Sequence, residues 1–179
     1  MPIVSSDLKT RYSTKLGTAG NQLTGTAAGS LGKYVSTTDW PGGTINDLFP
    51  DVSGADNLAL VSEYRCIFIV NTHGSLSWTS PVIWISAEVA GGANVSIGVD
   101  PTAASVIGSS SDQAVSVATG QTAPVGVTFS APTTQGAGLA LGDIPAGQCK
   151  AFWVKRTATN SPALSNDGVT LTMTGDTAA

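Results

Sequence analysis

The sequence predicts an all-β protein, an antiparallel β-sandwich or barrel of about seven or eight strands with an extended N-terminal arm. Three observations predict it. Short β-branched and alternating runs recur along the chain, separated by Gly- and Pro-rich connections. Charged residues make up only 11% of the 179, against about a quarter in an average soluble domain, so few residues are available to coat long exposed helices. No stretch shows sustained helical periodicity, which removes the crossover helices that a parallel sheet needs.

Residues 1–39 read as the arm and 40–179 as the body. Between Ser5 and Asp39, Gly and Thr punctuate the chain every few positions. Isolated large residues stud it: Leu8, Tyr12, Leu16, Leu23, Leu31 and Tyr34. Such a segment orders against a surface rather than alone. That surface is either a neighbouring subunit or the chain's own body. Up to Thr38 the bases Lys9, Arg11, Lys15 and Lys33 face one acid, Asp7, a net charge of +3, whereas the remainder carries −7. The basic arm suits an acidic neighbour, such as another copy of the same protein, and the acidic body does not suit nucleic acid, which needs a basic surface. The arm residues Lys9, Arg11, Tyr12, Lys15, Leu31, Lys33 and Tyr34, with the turn-flanking Trp40 and Trp78, are the candidate partner-binding set.

In the body, Trp40-Pro41-Gly42-Gly43 marks a turn and Asn46–Asp51 one helical turn capped by Asn46. Tyr64–Asn71 (YRCIFIVN) is apolar on both parities, so it reads as a central strand buried on both faces. Val82–Glu88 follows as a strand, and Asn94–Asp100 alternates with Val95, Ile97 and Val99 on one face. Pro101–Pro124 is mostly loop, with a weak strand near Ala114–Ala118. Short strands are expected at Gly126–Ser130 and Leu139–Ile144, and longer ones at Lys150–Thr157 and Val169–Thr174.

Signatures of catalysis are sparse. His73 is the one histidine, in the turn Asn71–Ser75, and no Gly-x-Ser-x-Gly elbow accompanies it. A turn histidine that caps locally is the expectation. Asp100, Asp143, Asp167 and Asp176 fall at strand ends or turns, where Asp satisfies backbone amides. No phosphate loop or metal-ligand spacing occurs. The expectation is therefore no enzyme, no cofactor and no metal. Cys66 and Cys149 are read as buried thiols or as a single bridge. Trp84 and Trp153 are expected between sheets or at a subunit seam. No apolar run approaches membrane-spanning length and no secretion signal is evident, so cytoplasmic synthesis without a membrane partner is expected.

Several segments together carry a resemblance. The chain opens Met1-Pro2-Ile3-Val4-Ser5-Ser6-Asp7 and continues through Gly29-Ser30-Leu31-Gly32, Asp47-Leu48-Phe49 and Tyr64–His73. Later come Pro124–Ser130, Leu141–Gln148 and Phe152-Trp153-Val154-Lys155-Arg156. In this order they resemble small virion structural proteins of tailed bacteriophages, some of them head decoration (cement or minor capsid) proteins. The resemblance spans nearly the whole chain, although each segment alone is a weak motif. It implies a non-enzymatic homotrimer on the outer surface of the head, made in the host bacterial cytoplasm. There it would contact the major capsid protein and hold neighbouring capsomers together. Two alternatives are a tail, neck or baseplate component, and a carbohydrate-binding sandwich that uses Trp40, Trp78 or the Pro101–Pro124 loop.

Overall fold

A computed structural model describes residues 2–17 and 23–178; residues 18–22 of the expected arm lie outside the described part. The protein is all-β, with two antiparallel sheets facing each other. The larger sheet holds β1 (Leu8–Thr14), β2 (Tyr34–Asp39), β3 (Ser62–Asn71), β5 (Asn94–Val99), β6 (Ser105–Val106) and β8 (Gln148–Thr157). The smaller holds β4 (Ser77–Glu88), β7 (Leu139–Ala140) and β9 (Val169–Ala178). Strand order is β2-β1-β3-β8-β5 in the first, with β6 also on β8, and β7-β4-β9 in the second.

β3 lies at the centre of the larger sheet, as its two-sided apolar pattern requires. Ile67 and Ile69 point to the smaller sheet and pack with Phe152, Val154, Ile97, Ile83 and Ile144. Cys66, Phe68 and Val70 point the other way, onto Ala151, Trp153, Val117 and Ala114. Each buried large aliphatic or aromatic side chain contributes about 1.5–3 kcal/mol of transfer free energy, so β3 and β8 anchor both layers at once.

The second layer is the main surprise relative to the sequence. The Pro101–Pro124 stretch is not a projecting loop. Its Ala114 and Val117 seal the outer face of the larger sheet, and Ser116 forms a lone bridge to Gly32 in place of a strand. Trp153 belongs to this layer and not to the space between the sheets. Trp84 is half-buried on the outer face of the smaller sheet, opposite in parity to the core residue Ile83. On the face of β5 opposite Val95, Ile97 and Val99, Gly98 makes room for the covering chain, since a Cβ there would lie 2.5 Å from Val127 Cγ1 and 2.7 Å from the Thr128 carbonyl oxygen.

Separating 1–39 as an extended arm needs correction. β1 pairs with β3 from Leu8↔Asn71 to Tyr12↔Ile67, and β2 pairs with β1. The segment is thus part of the body's sheet. Leu8 and Tyr12 face the inter-sheet core, while Lys9 and Arg11 take the outer-layer positions that β3 fills with Val70 and Phe68, so β1 lacks the two-sided apolar pattern of its neighbour. A second correction concerns the helix. Asn46–Asp51 is irregular, and the short α1 (Gly54–Leu58) starts later, capped by Ser53, whose hydroxyl accepts the Asp56 amide at 3.1 Å. Gly126–Ser130 forms no strand but follows β5, where Ile97 and Ser130 exchange two backbone hydrogen bonds. Among the described residues no helix is long and apolar enough to cross a membrane.

Candidate docking surface

Loops gather at the end of the sandwich where β3 begins and β8 ends. Residues from the 40–57, 92–95 and 158–168 stretches line an open groove of about 870 Å³. Gly42 and Gly43, at φ +62° and +77°, turn the chain after Trp40 as only glycine does without strain. Leu48 then plugs the core from this end, and the Tyr12 hydroxyl donates to the Asp47 carbonyl at 2.5 Å.

Phe49 is the keystone of the groove floor. Its ring packs against two guanidinium groups, Arg156 at 4.8 Å and Arg65 at 5.4 Å from the ring centre. Glu63 sits between the same arginines and ion-pairs with both. Arg156 also donates to the Pro50 carbonyl at 2.5 Å, which ties the 41–53 loop to β8. Burial lowers the pKa of Arg65; the adjacent Glu63 opposes that shift and Arg156 adds to it. Burial likewise pushes the Asp47 carboxyl up, against the Thr44 amide and the Trp40 indole. Asp47 Oδ2 and Trp40 Nε1 are buried without a hydrogen bond of good geometry.

Around this polar floor the rim is apolar. Ile45 and Leu164 line the groove at 82% and 40% exposure, and Leu58 and Leu60 flank Asn57, another lining residue, at 73% and 54%. Cross-braces hold the rim: Asn57 Nδ2 donates to the Ser161 carbonyl at 2.8 Å, the Ala93 amide to Asp167 Oδ2 at 2.8 Å, and the Thr159 hydroxyl to the Gly92 carbonyl at 2.8 Å. Large apolar side chains held in solvent by a braced scaffold are suited to covering by another protein surface.

The candidate partner-binding residues from the sequence do not converge here. Trp40 alone lines the groove, half-buried. Trp78 is interior at 4% exposure, and its backbone exchanges two hydrogen bonds with Ile144, so it is no free anchor. Tyr12 and Tyr34 are buried. Arg11 pairs with Asp39 at 3.0 Å, and Lys15 donates to the Val117 carbonyl at 2.8 Å. Lys33 stacks 5.0 Å over the Tyr34 ring. Leu31 packs against the second core layer, and Lys9 lies half-buried on β1 opposite Val70. The arm's polar groups are thus largely turned toward the chain's own body. Sequence reading missed Ile45, Leu58, Leu60 and Leu164, whose scattered positions carry no period; their exposure comes from loop packing alone.

His73 sits at the far end of β3. Its Nδ1 accepts the Ser75 and Leu76 amides at 3.2 and 3.0 Å, the local cap that a turn histidine provides. Asp143 accepts the Ser80 amide at 2.8 Å, and Asp100 accepts those of Thr102 and Val115 at 2.9 and 3.0 Å. Among the described residues no three His, Cys, Asp or Glu side chains converge as a metal-ligand set. Cys66 pairs with Trp153 and Cys149 with Val70. Four register positions separate the two thiols, about 13 Å at the rise of a strand, too far for a disulfide. Comparison with known proteins finds no matching family model, no matching curated protein and no matching solved structure.

Proposed function

We propose that this chain is a non-enzymatic structural protein of a bacteriophage virion, a capsid decoration protein that docks on the major capsid shell and stabilises it. The observation that carries the docking part is the braced groove rim with Ile45 and Leu164 exposed on it, and Leu58 and Leu60 exposed beside the lining residue Asn57. The virion assignment rests on the segment order described above. The non-enzymatic part is supported by the buried Asp100 and the half-exposed His73 imidazole, both occupied in holding backbone amides. Docking then adds contact area, and a standard protein interface buries about 1,600 Å² in total.

The test is co-sedimentation of the purified chain with capsids and, separately, with tails. Binding to capsids, lost in Ile45→Asp/Leu164→Asp, is the expected result. Binding to tails alone moves the protein to the neck, tail or baseplate and overturns the capsid reading. Capsid binding that the double variant retains removes the groove from the account.

A further inference from the structure

β9 is the long strand whose outer flank lies open. The other flanks are covered. Thr37 of β2 donates to the Leu23 carbonyl, and Ile97 of β5 exchanges two hydrogen bonds with Ser130. The flank of β4 away from β9 is taken by β7, by Ile144 and by the Pro132 carbonyl. β9 bonds across to β4 from Val169 to Ala178, and among the described residues its backbone has no partner on the other side. An unpaired flank of ten residues is a template for another strand.

The usual protections against such pairing are missing from β9. It holds no Lys, Arg or Pro. Both register shifts against β4 place the extra residue in β4, so β9 runs without a bulge. Leu171 and Met173 pack against the inter-sheet core yet stay half-exposed, because no strand lies beyond them.

We propose that β9 pairs antiparallel with β9 of a second copy about a two-fold axis, joining two three-stranded sheets into one of six strands. The pattern is self-complementary. Centring the axis on Thr172 sets Leu171 opposite Met173 on the core side and Thr170 opposite Thr174 on the outer side. It sets Asp176 opposite Gly168, so no acid directly faces another. The surface is also continuous with the groove, since Val169 and Leu171 line both. An isologous contact of this kind closes at two, so a three-fold assembly would need a different surface. The pairing is independent of whether the chain docks on a capsid.

Sedimentation velocity of the full chain across a wide concentration range tests this. The expected species is a dimer. Thr170→Lys/Thr174→Lys sets lysine opposite lysine at both ends of the pairing. It should abolish the dimer while leaving circular dichroism and the melting temperature unchanged. A monomer at every concentration, a trimer, or a dimer that survives the double variant overturns the proposal. Should the variant misfold, hydrogen exchange on the unaltered chain decides. Concentration-dependent protection of the β9 amides facing away from β4 sustains the pairing, and its absence overturns it.

Discussion

The Trp153 indole donates a hydrogen bond to the Asp100 carboxylate across 2.8 Å, with both side chains buried. The same carboxylate accepts the Val115 and Thr102 amides, and Lys150 donates to the Asp100 carbonyl at 2.7 Å. One side chain therefore joins β8, the end of β5 and the covering segment. Asp100→Ala strands the indole and two amides, at an expected loss of about 3–5 kcal/mol. Urea denaturation measures it, and a loss below about 1 kcal/mol would show that water replaces the carboxylate.

The thiols should be inert in the folded protein. Burial pushes the Cys149 thiol up to about 12, and burial, with the charge of Asp100 next, raises Cys66 well above the ordinary range. Both then stay protonated where an unfolded cysteine ionises, near about 8.5. The folded state binds more protons over that window, so stability present below it falls as pH rises toward 12. A thiol reagent at pH 8 should label neither cysteine until denaturant is added. Cys66→Ala/Cys149→Ala should flatten the alkaline slope of stability.

Gly32 tests the covering layer. It sits at φ +86°, and a Cβ would lie 1.8 Å from the Val115 carbonyl oxygen, which is backbone and cannot swing aside. Gly32→Ala should cost about 3 kcal/mol or more and lift the 113–117 segment off the sheet. Hydrogen exchange at Val117, whose amide donates to the Leu31 carbonyl at 3.0 Å, reports the lifting directly.

Glu63→Gln leaves Arg65 and Arg156, both packed against the Phe49 ring, without their shared counter-charge. With Arg65 almost wholly buried, the loss should be about 2–4 kcal/mol. Phe49→Ala should instead free the 41–53 loop at smaller cost to the whole. Limited proteolysis separates the two, with early cleavage inside the loop expected for Phe49→Ala alone.

Much of the fold was legible because the relevant periods are short. The two-sided apolar run Tyr64–Asn71 placed β3 at the centre of a sheet, and the alternation of Val169, Leu171 and Met173 gave the inward face of β9. What failed was whatever tertiary contact supplies. β1 hides behind Lys9 and Arg11, because Arg11 meets its acid, Asp39, only once β2 folds beside it. The 101–124 segment looks like loop because its backbone is irregular, and only the sheet beneath reveals it as a lid on Trp153. The groove rim was invisible for the same reason, since nothing local distinguishes Ile45 or Leu164 from a buried aliphatic.

β3 is held by β1 from before it and by β8 from some eighty residues after it. During translation it therefore leaves the ribosome long before half of its pairing partners exist. Until Thr157 has emerged, Cys66–Val70 remains a naked apolar ribbon on one edge, the kind of segment that nascent chains surrender to chaperones or to aggregates. Yield of this protein in a cell should therefore respond to holdase supply more than to any property of the finished sandwich.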